Sequence, residues 1–180
     1  MIKVFFLIFF LISLNINAFP IPKDNKATFD IIRKNKIIGG IETNFYEQGE
    51  NLIIESIVNI EVKIIFFPDY KFFQKTKEIW NNEEFIEIDG YTDFEDEREY
   101  FINGKDTKNE FIAKGMDGEI KTEKNIIPLN YWNKDILTQS KVFDTQKGII
   151  REISIKELGK ETIDVNGIEI ITDKFILDAS

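Results

Sequence analysis

From Leu52 to Phe67 the chain alternates with a period of two. The even positions read Leu52, Ile54, Ser56, Val58, Ile60, Val62, Ile64 and Phe66, while Glu55, Asn59, Glu61 and Lys63 fall on the odd ones. A helix cannot use this pattern, because its faces recur every 3.6 residues, whereas a strand sends successive side chains to opposite sides. A long strand with one buried face is therefore expected. Upstream the same alternation sits on odd positions, at Ile37, Gly39, Ile41, Thr43 and Phe45, and before it at Ala27, Phe29 and Ile31. The stretches "KNK" at 34–36 and "QGEN" at 48–51 supply the turns between these runs.

Further strands are expected near 70–80, 84–94, 97–103, 109–115, 118–124, 148–158, 161–165 and 168–177. The last two flank Asn166-Gly167, the strongest short hairpin signal. Ten or eleven antiparallel strands joined by short turns predict an all-β fold in one domain. It is a large curved antiparallel sheet or open barrel, a half-barrel of lipocalin-like or lipoprotein-carrier-like type.

The alternation breaks once, in "IIPLNYWNKDILTQSKVFDTQKG", Ile126 to Gly148. Pro128 ends the preceding strand. Asn130 reads as the N-cap of a short helix on which Trp132 and Ile136 share a face. The expectation is one short helical crossover that plugs an open barrel end or, alternatively, forms a lid over a cavity.

The N-terminus has a different character. Lys3 precedes an almost wholly apolar run from Val4 to Leu14, and a polar stretch then leads to Ala18. That is the three-part layout of a secretory signal peptide over residues 1–18. The run is too short for a bilayer span, which needs about 20 residues. No second such run follows, so no integral membrane span is expected, and residues 19–180 form the exported, periplasmic domain.

Composition excludes several function classes. The chain carries 23 basic and 32 acidic residues, a net charge of −9, which becomes −10 without Lys3. Its positive residues are scattered, so nucleic acid and anionic membrane are not expected partners. There is no Cys and no His. Disulfides are impossible, and imidazole-dependent nucleophile systems and the usual zinc sites are excluded. No cofactor and no metal site is expected, and the balance leans away from an enzyme.

Three candidate sites remain. The acidic stretch Glu83 to Glu99 lacks the spacing of a calcium loop, and Glu87, Asp89, Tyr91 and Asp93 share one strand face, which reads as solvated. A carboxylate-dependent hydrolase would draw on Glu78, Glu87, Asp89 and Asp93. The 17 phenylalanines, among them Phe66-Phe67 and Phe72-Phe73, fill a core or line an apolar cavity. On the strand from Tyr70, one face carries Tyr70, Phe72, Gln74, Thr76, Glu78 and Trp80, which implies a wet interior or a flipped register.

The segment 126–148 resembles the signature of a family of exported bacterial proteins catalogued as domain of unknown function 6134. The resemblance lies in Pro128, Asn130-Tyr131-Trp132-Asn133, Phe143-Asp144-Thr145 and Gly148. "TFDIIRKNKIIGG" and "EIWNNEEFIEIDGYTDFEDE" resemble two further parts of that family. The resemblance implies a β-rich fold and an exported location, and it brings no catalytic residues. The family usually continues with another strand pair, so the ending "DKFILDAS" reads as a chain short of its last strands.

The leading functional expectation is binding of a lipid or other apolar or amphipathic small molecule at Tyr70, Phe72, Trp80, Tyr131 and Trp132. The alternatives are the carboxylate hydrolase and a structural or interaction module of the cell envelope with a filled core.

Overall fold

The computed structural model describes residues 21–63, 69–94, 98–165 and 167–179. The expected signal peptide, Phe66-Phe67 and Asn166 lie outside the described residues. Among those described the chain is all-β. Strands β1 (Lys26–Arg33), β2 (Lys36–Gln48), β3 (Asn51–Val62), β4 (Tyr70–Asn81), β5 (Glu84–Asp93), β6 (Glu99–Asp106), β7 (Glu110–Gly115) and β8 (Gly118–Glu123) form one antiparallel sheet. Each strand pairs with the next in sequence, and β1 and β8 remain as its two edges. The sheet is large and antiparallel, as the alternation predicts, and it is not closed into a barrel.

Period two decides which side chains are buried. On β4 the even positions Phe72, Gln74, Thr76, Glu78 and Trp80 are buried, while Lys71, Lys75 and Lys77 are exposed. The register is not flipped, so the interior does contain polar groups. Opposite β4, Leu52 and Ile54 of β3 are buried on the same face. A bulge between Ile79 and Trp80 brings Phe85 opposite Trp80 and Ile88 opposite Glu78.

The segment after β8 runs across this inner face. It holds one 3-10 turn, Lys134–Thr138, and then strand β9 (Lys141–Asp144). This corrects the expected helix. The cap is Asn133, whose side chain accepts from Asp135 N at 2.9 Å, and Trp132 lies ahead of the turn. Trp132 and Ile136 do not share a helix face; they pack into two separate clusters. Asn130 is freed from capping for another role. Strand β9 went unrecognised because its four residues are too short to show a period.

Aromatic rings join the segment to the sheet. Trp132 meets Phe45 at 5.7 Å and Trp80 at 5.3 Å, both edge-to-face, and Phe143 meets Phe111 at 5.6 Å. Each such pair adds about 1 kcal/mol beyond the apolar area it buries.

The last three strands form a separate sheet in the order β11-β10-β9. Strand β10 (Ile149–Val165) spans what the sequence divides into two strands, because a bulge at Glu157–Gly159 absorbs the irregularity. Gly159 adopts φ +93° there. The bulge also turns the ribbon's apolar face over. Before it, Ile153 and Ile155 pack with Leu177 and Ala179 of β11 (Ile168–Ala179) against the crossing segment. Beyond it, the pairs Ile163–Ile170 and Val165–Ile168 lie on the other side and stay exposed.

The end of the crossing segment is locked by a close backbone approach. Asp144 Oδ1 accepts from Gln146 N at 2.8 Å, and its Oδ2 takes the Arg151 guanidinium at 2.9 and 2.6 Å. The turn this builds lays Gly148 on Gly115, and Met116 N donates to Lys147 O at 2.7 Å. A Cβ on Gly148, which has φ +68°, would stand 2.7 Å from Gly115 Cα. Gly148→Ala should therefore lower stability by about 3 kcal/mol in urea denaturation, combining left-handed strain with a backbone clash. Gly49→Ala, at φ +65° with nothing within 4 Å of the added Cβ, should cost only about 1 kcal/mol.

Candidate functional site

Strand β4 is the axis of the inner face, and its alternate residues pass from an open cavity to a closed core. At the closed end lies Glu78, buried beneath the crossing segment. Trp80 Nε1, two residues along the same strand face, donates to Glu78 Oε2 at 2.9 Å. Asn130 Nδ2 donates to the same oxygen at 3.3 Å, and the Trp132 indole also favours the ionised form. Asn130 Oδ1 meanwhile accepts from Asn133 N at 3.2 Å, which fixes the backbone ahead of the 3-10 turn.

Burial raises the Glu78 carboxyl from 4.5 to about 7, opposed by the hydrogen bonds from Trp80 and Asn130. The cause is removal from water, which no cation among the described residues offsets. Glu78 is thus a carboxyl held by neutral donors, suited to anchoring the segment that supplies Asn130.

At the other end of β4 the inner face opens into a cavity of about 570 Å³. Its floor is apolar, from Phe29 and Ile31 of β1, Ile41 of β2, Val58 and Ile60 of β3, and Phe72 of β4. Phe94, Leu129 and Tyr131 form its sides, with Thr145 and Gln146 from the turn after β9. Phe72 and Phe94 meet edge-to-face at 5.1 Å. Tyr70 and Tyr131, 39 % and 65 % exposed, stand where the cavity meets solvent. The one buried amide in the lining is Gln74, whose Nε2 donates to Thr145 O at 2.8 Å and to Thr145 Oγ1 at 3.2 Å.

The five residues expected to bind ligand are divided between these two places. Tyr70, Phe72 and Tyr131 line the cavity, whereas Trp80 and Trp132 belong to the aromatic core around Glu78. The four carboxylates of the hydrolase alternative do not converge. Glu78 points inward, while Glu87, Asp89 and Asp93 alternate to the other face, where Lys105 meets Glu87 at 3.1 Å. Among the described residues no group of three or more carboxylates is placed to hold a metal ion, and no helix is long and apolar enough to cross a membrane.

Sequence reasoning passed over Gln74, Thr145 and Asn130 as site residues. Gln74 had a signal, a polar group in a core-facing register. Asn130 and Thr145 had only their place in the irregular segment and in the family resemblance, since their contacts with β4 join residues 52 and 71 positions apart.

A family model described as Domain of unknown function (DUF6134) matches residues 29–179, and the chain belongs to that family. No curated protein and no solved structure matches it.

The raised carboxyl sets a pH dependence of definite sign. With a folded value above the unfolded one, the native state binds more protons between pH 4.5 and about 7, so the contribution of Glu78 to stability falls as pH rises through that window. Glu78→Gln removes this dependence. Urea denaturation of both proteins at pH 5 and pH 8 should show the variant gaining about 2–3 kcal/mol relative to the parent on going to pH 8. An unchanged difference would mean that Glu78 does not ionise in that range.

Proposed function

We propose that this protein binds an apolar or amphipathic small molecule, a lipid or a molecule of similar character, in the cavity at the Tyr70 end of β4. The observation that carries this reading is the cavity itself. Its volume of about 570 Å³ falls within the range of small-molecule sites, and its lining is mostly aliphatic and aromatic with a single buried amide. A folded domain closes such a space when packing is the only demand on it, since interiors otherwise reach crystal-like density. Here the crossing segment fills one end of the inner face and leaves the other open.

The reading takes further support from the N-terminal sequence, whose charge and apolar run are those of an export signal. The site of action is then the periplasm or cell envelope, where lipids and other sparingly soluble molecules need protein carriers. An open antiparallel sheet with an apolar inner face is analogous to lipocalin-like and lipoprotein-carrier-like half-barrels. That analogy is one of architecture alone.

Native mass spectrometry of protein purified from a bacterial periplasm, with organic extraction of what it retains, tests the proposal. The expected result is a retained amphiphile, or saturable binding of one added to the stripped protein. Ile60→Trp, which fills the cavity floor, should abolish binding while the protein remains folded by circular dichroism. A clean mass, with no saturable binding across alkyl and isoprenoid ligands, would leave the cavity without a function and refute the reading.

A further inference from the structure

Cavity linings select ligands by charge as well as by shape, and among the described residues this one turns no charged side chain inward. Its inward-facing side chains are apolar, aromatic, amide or, at Thr145, hydroxyl. The only Asp, Glu, Lys or Arg among the described lining residues is Asp30, and on β1 it alternates with Phe29 and Ile31. Phe29 pairs with the inward Ile41 and Asp30 with Gly40, so the Asp30 side chain is on the outer register of an edge strand. Arg98 and Lys147 sit over the ring of Phe94, 5.7 and 5.9 Å from its centroid, without lining the cavity.

The polar group inside has a fixed sense. Gln74 Nε2 donates to both the carbonyl and the hydroxyl of Thr145, and Thr145 Oγ1 donates onward to Leu129 O at 3.4 Å. What Gln74 presents to a ligand is therefore its carbonyl oxygen, an acceptor that needs an O–H or N–H donor.

We infer that the ligand is an uncharged amphiphile, an apolar body carrying a hydroxyl or amide whose hydrogen is accepted by Gln74 Oε1. This inference rests on reading the cavity as a ligand site. A carboxylate, phosphate or ammonium would leave water for a described lining that turns no counter-charge inward, and an unpaired charge is the least tolerated group in such surroundings. An ether or plain hydrocarbon would fit the apolar floor and leave the Gln74 carbonyl unanswered.

Isothermal titration calorimetry at pH 7 with 1-decanol, decyl methyl ether, decanoate and decylammonium, all below their aggregation limits, separates these cases on the unmodified protein. Decanol should bind tightest, the two ions at least tenfold more weakly, and the ether about tenfold more weakly than the alcohol. Gln74→Leu, confirmed folded by circular dichroism, should remove the advantage of alcohol over ether. Decanoate or decylammonium binding as well as decanol would overturn the uncharged class. An ether equal to the alcohol, or an alcohol advantage that survives in Gln74→Leu, would overturn the role of Gln74. Failure of all four ligands to bind would instead overturn the ligand-site reading on which the inference rests.

Discussion

One buried carboxylate governs how this chain folds over itself. Glu78 projects from the middle of the sheet into its buried face, and an ionised carboxylate there is costly unless donors surround it. The strand supplies one of them in Trp80. Another arrives from Asn130, which lies in the segment crossing the sheet. The crossing is therefore set by polar chemistry as well as by apolar burial. If the segment lay elsewhere, Glu78 would lose that donor and Trp80 and Phe45 would lose the ring that packs between them.

That anchoring divides the inner face. From Thr76 to Trp80 the side chains of β4 are covered by the segment, and the aromatic chain from Phe45 through Trp132, Trp80, Phe85 and Phe111 to Phe143 fills the space. From Gln74 back to Tyr70 the cover thins to Leu129, Tyr131 and the turn at Thr145 and Gln146, and the cavity remains. Thr43 and Ser56, hydrogen-bonded at 2.9 Å, adjoin Thr76 in the register and mark a polar row across the sheet between the two regions. Gln74 and Glu78 are four residues apart on one strand, about 13 Å, so binding at the open end need not disturb the anchor at the closed one.

Much of this architecture is legible in the sequence, and the physical reason is the strictness of period two. The alternation at Leu52 to Val62 and at Tyr70 to Trp80 identifies which residues face inward, including the polar ones. The same rule sends Glu87, Asp89 and Asp93 outward. What alternation cannot supply is partnership across long separations. Asn130, two residues after a proline and just before an aromatic pair, carries the local signal of a helix cap, and only the packed fold shows its amide turned to a carboxylate on β4. The bulge at Glu157–Gly159 is hidden for a related reason. Ile153, Ile155, Ile163 and Val165 keep one parity in sequence, yet the extra residue places the two halves on opposite faces. Trp80 and Trp132 were expected at a ligand because large aromatics serve cores and cavities equally well. Their neighbours decide, and those are Glu78 and other rings.

The crossing segment is a fixed part of the core, with the opening beside it and not beneath it. Amide hydrogen exchange followed by mass spectrometry tests this directly. Peptides covering 126–144 should exchange as slowly as those from β4, with or without ligand, while the hairpin beyond the bulge exchanges early. Exchange of 126–144 well ahead of β4, slowed only when ligand is added, would show that the segment opens as a lid, and would contradict the account.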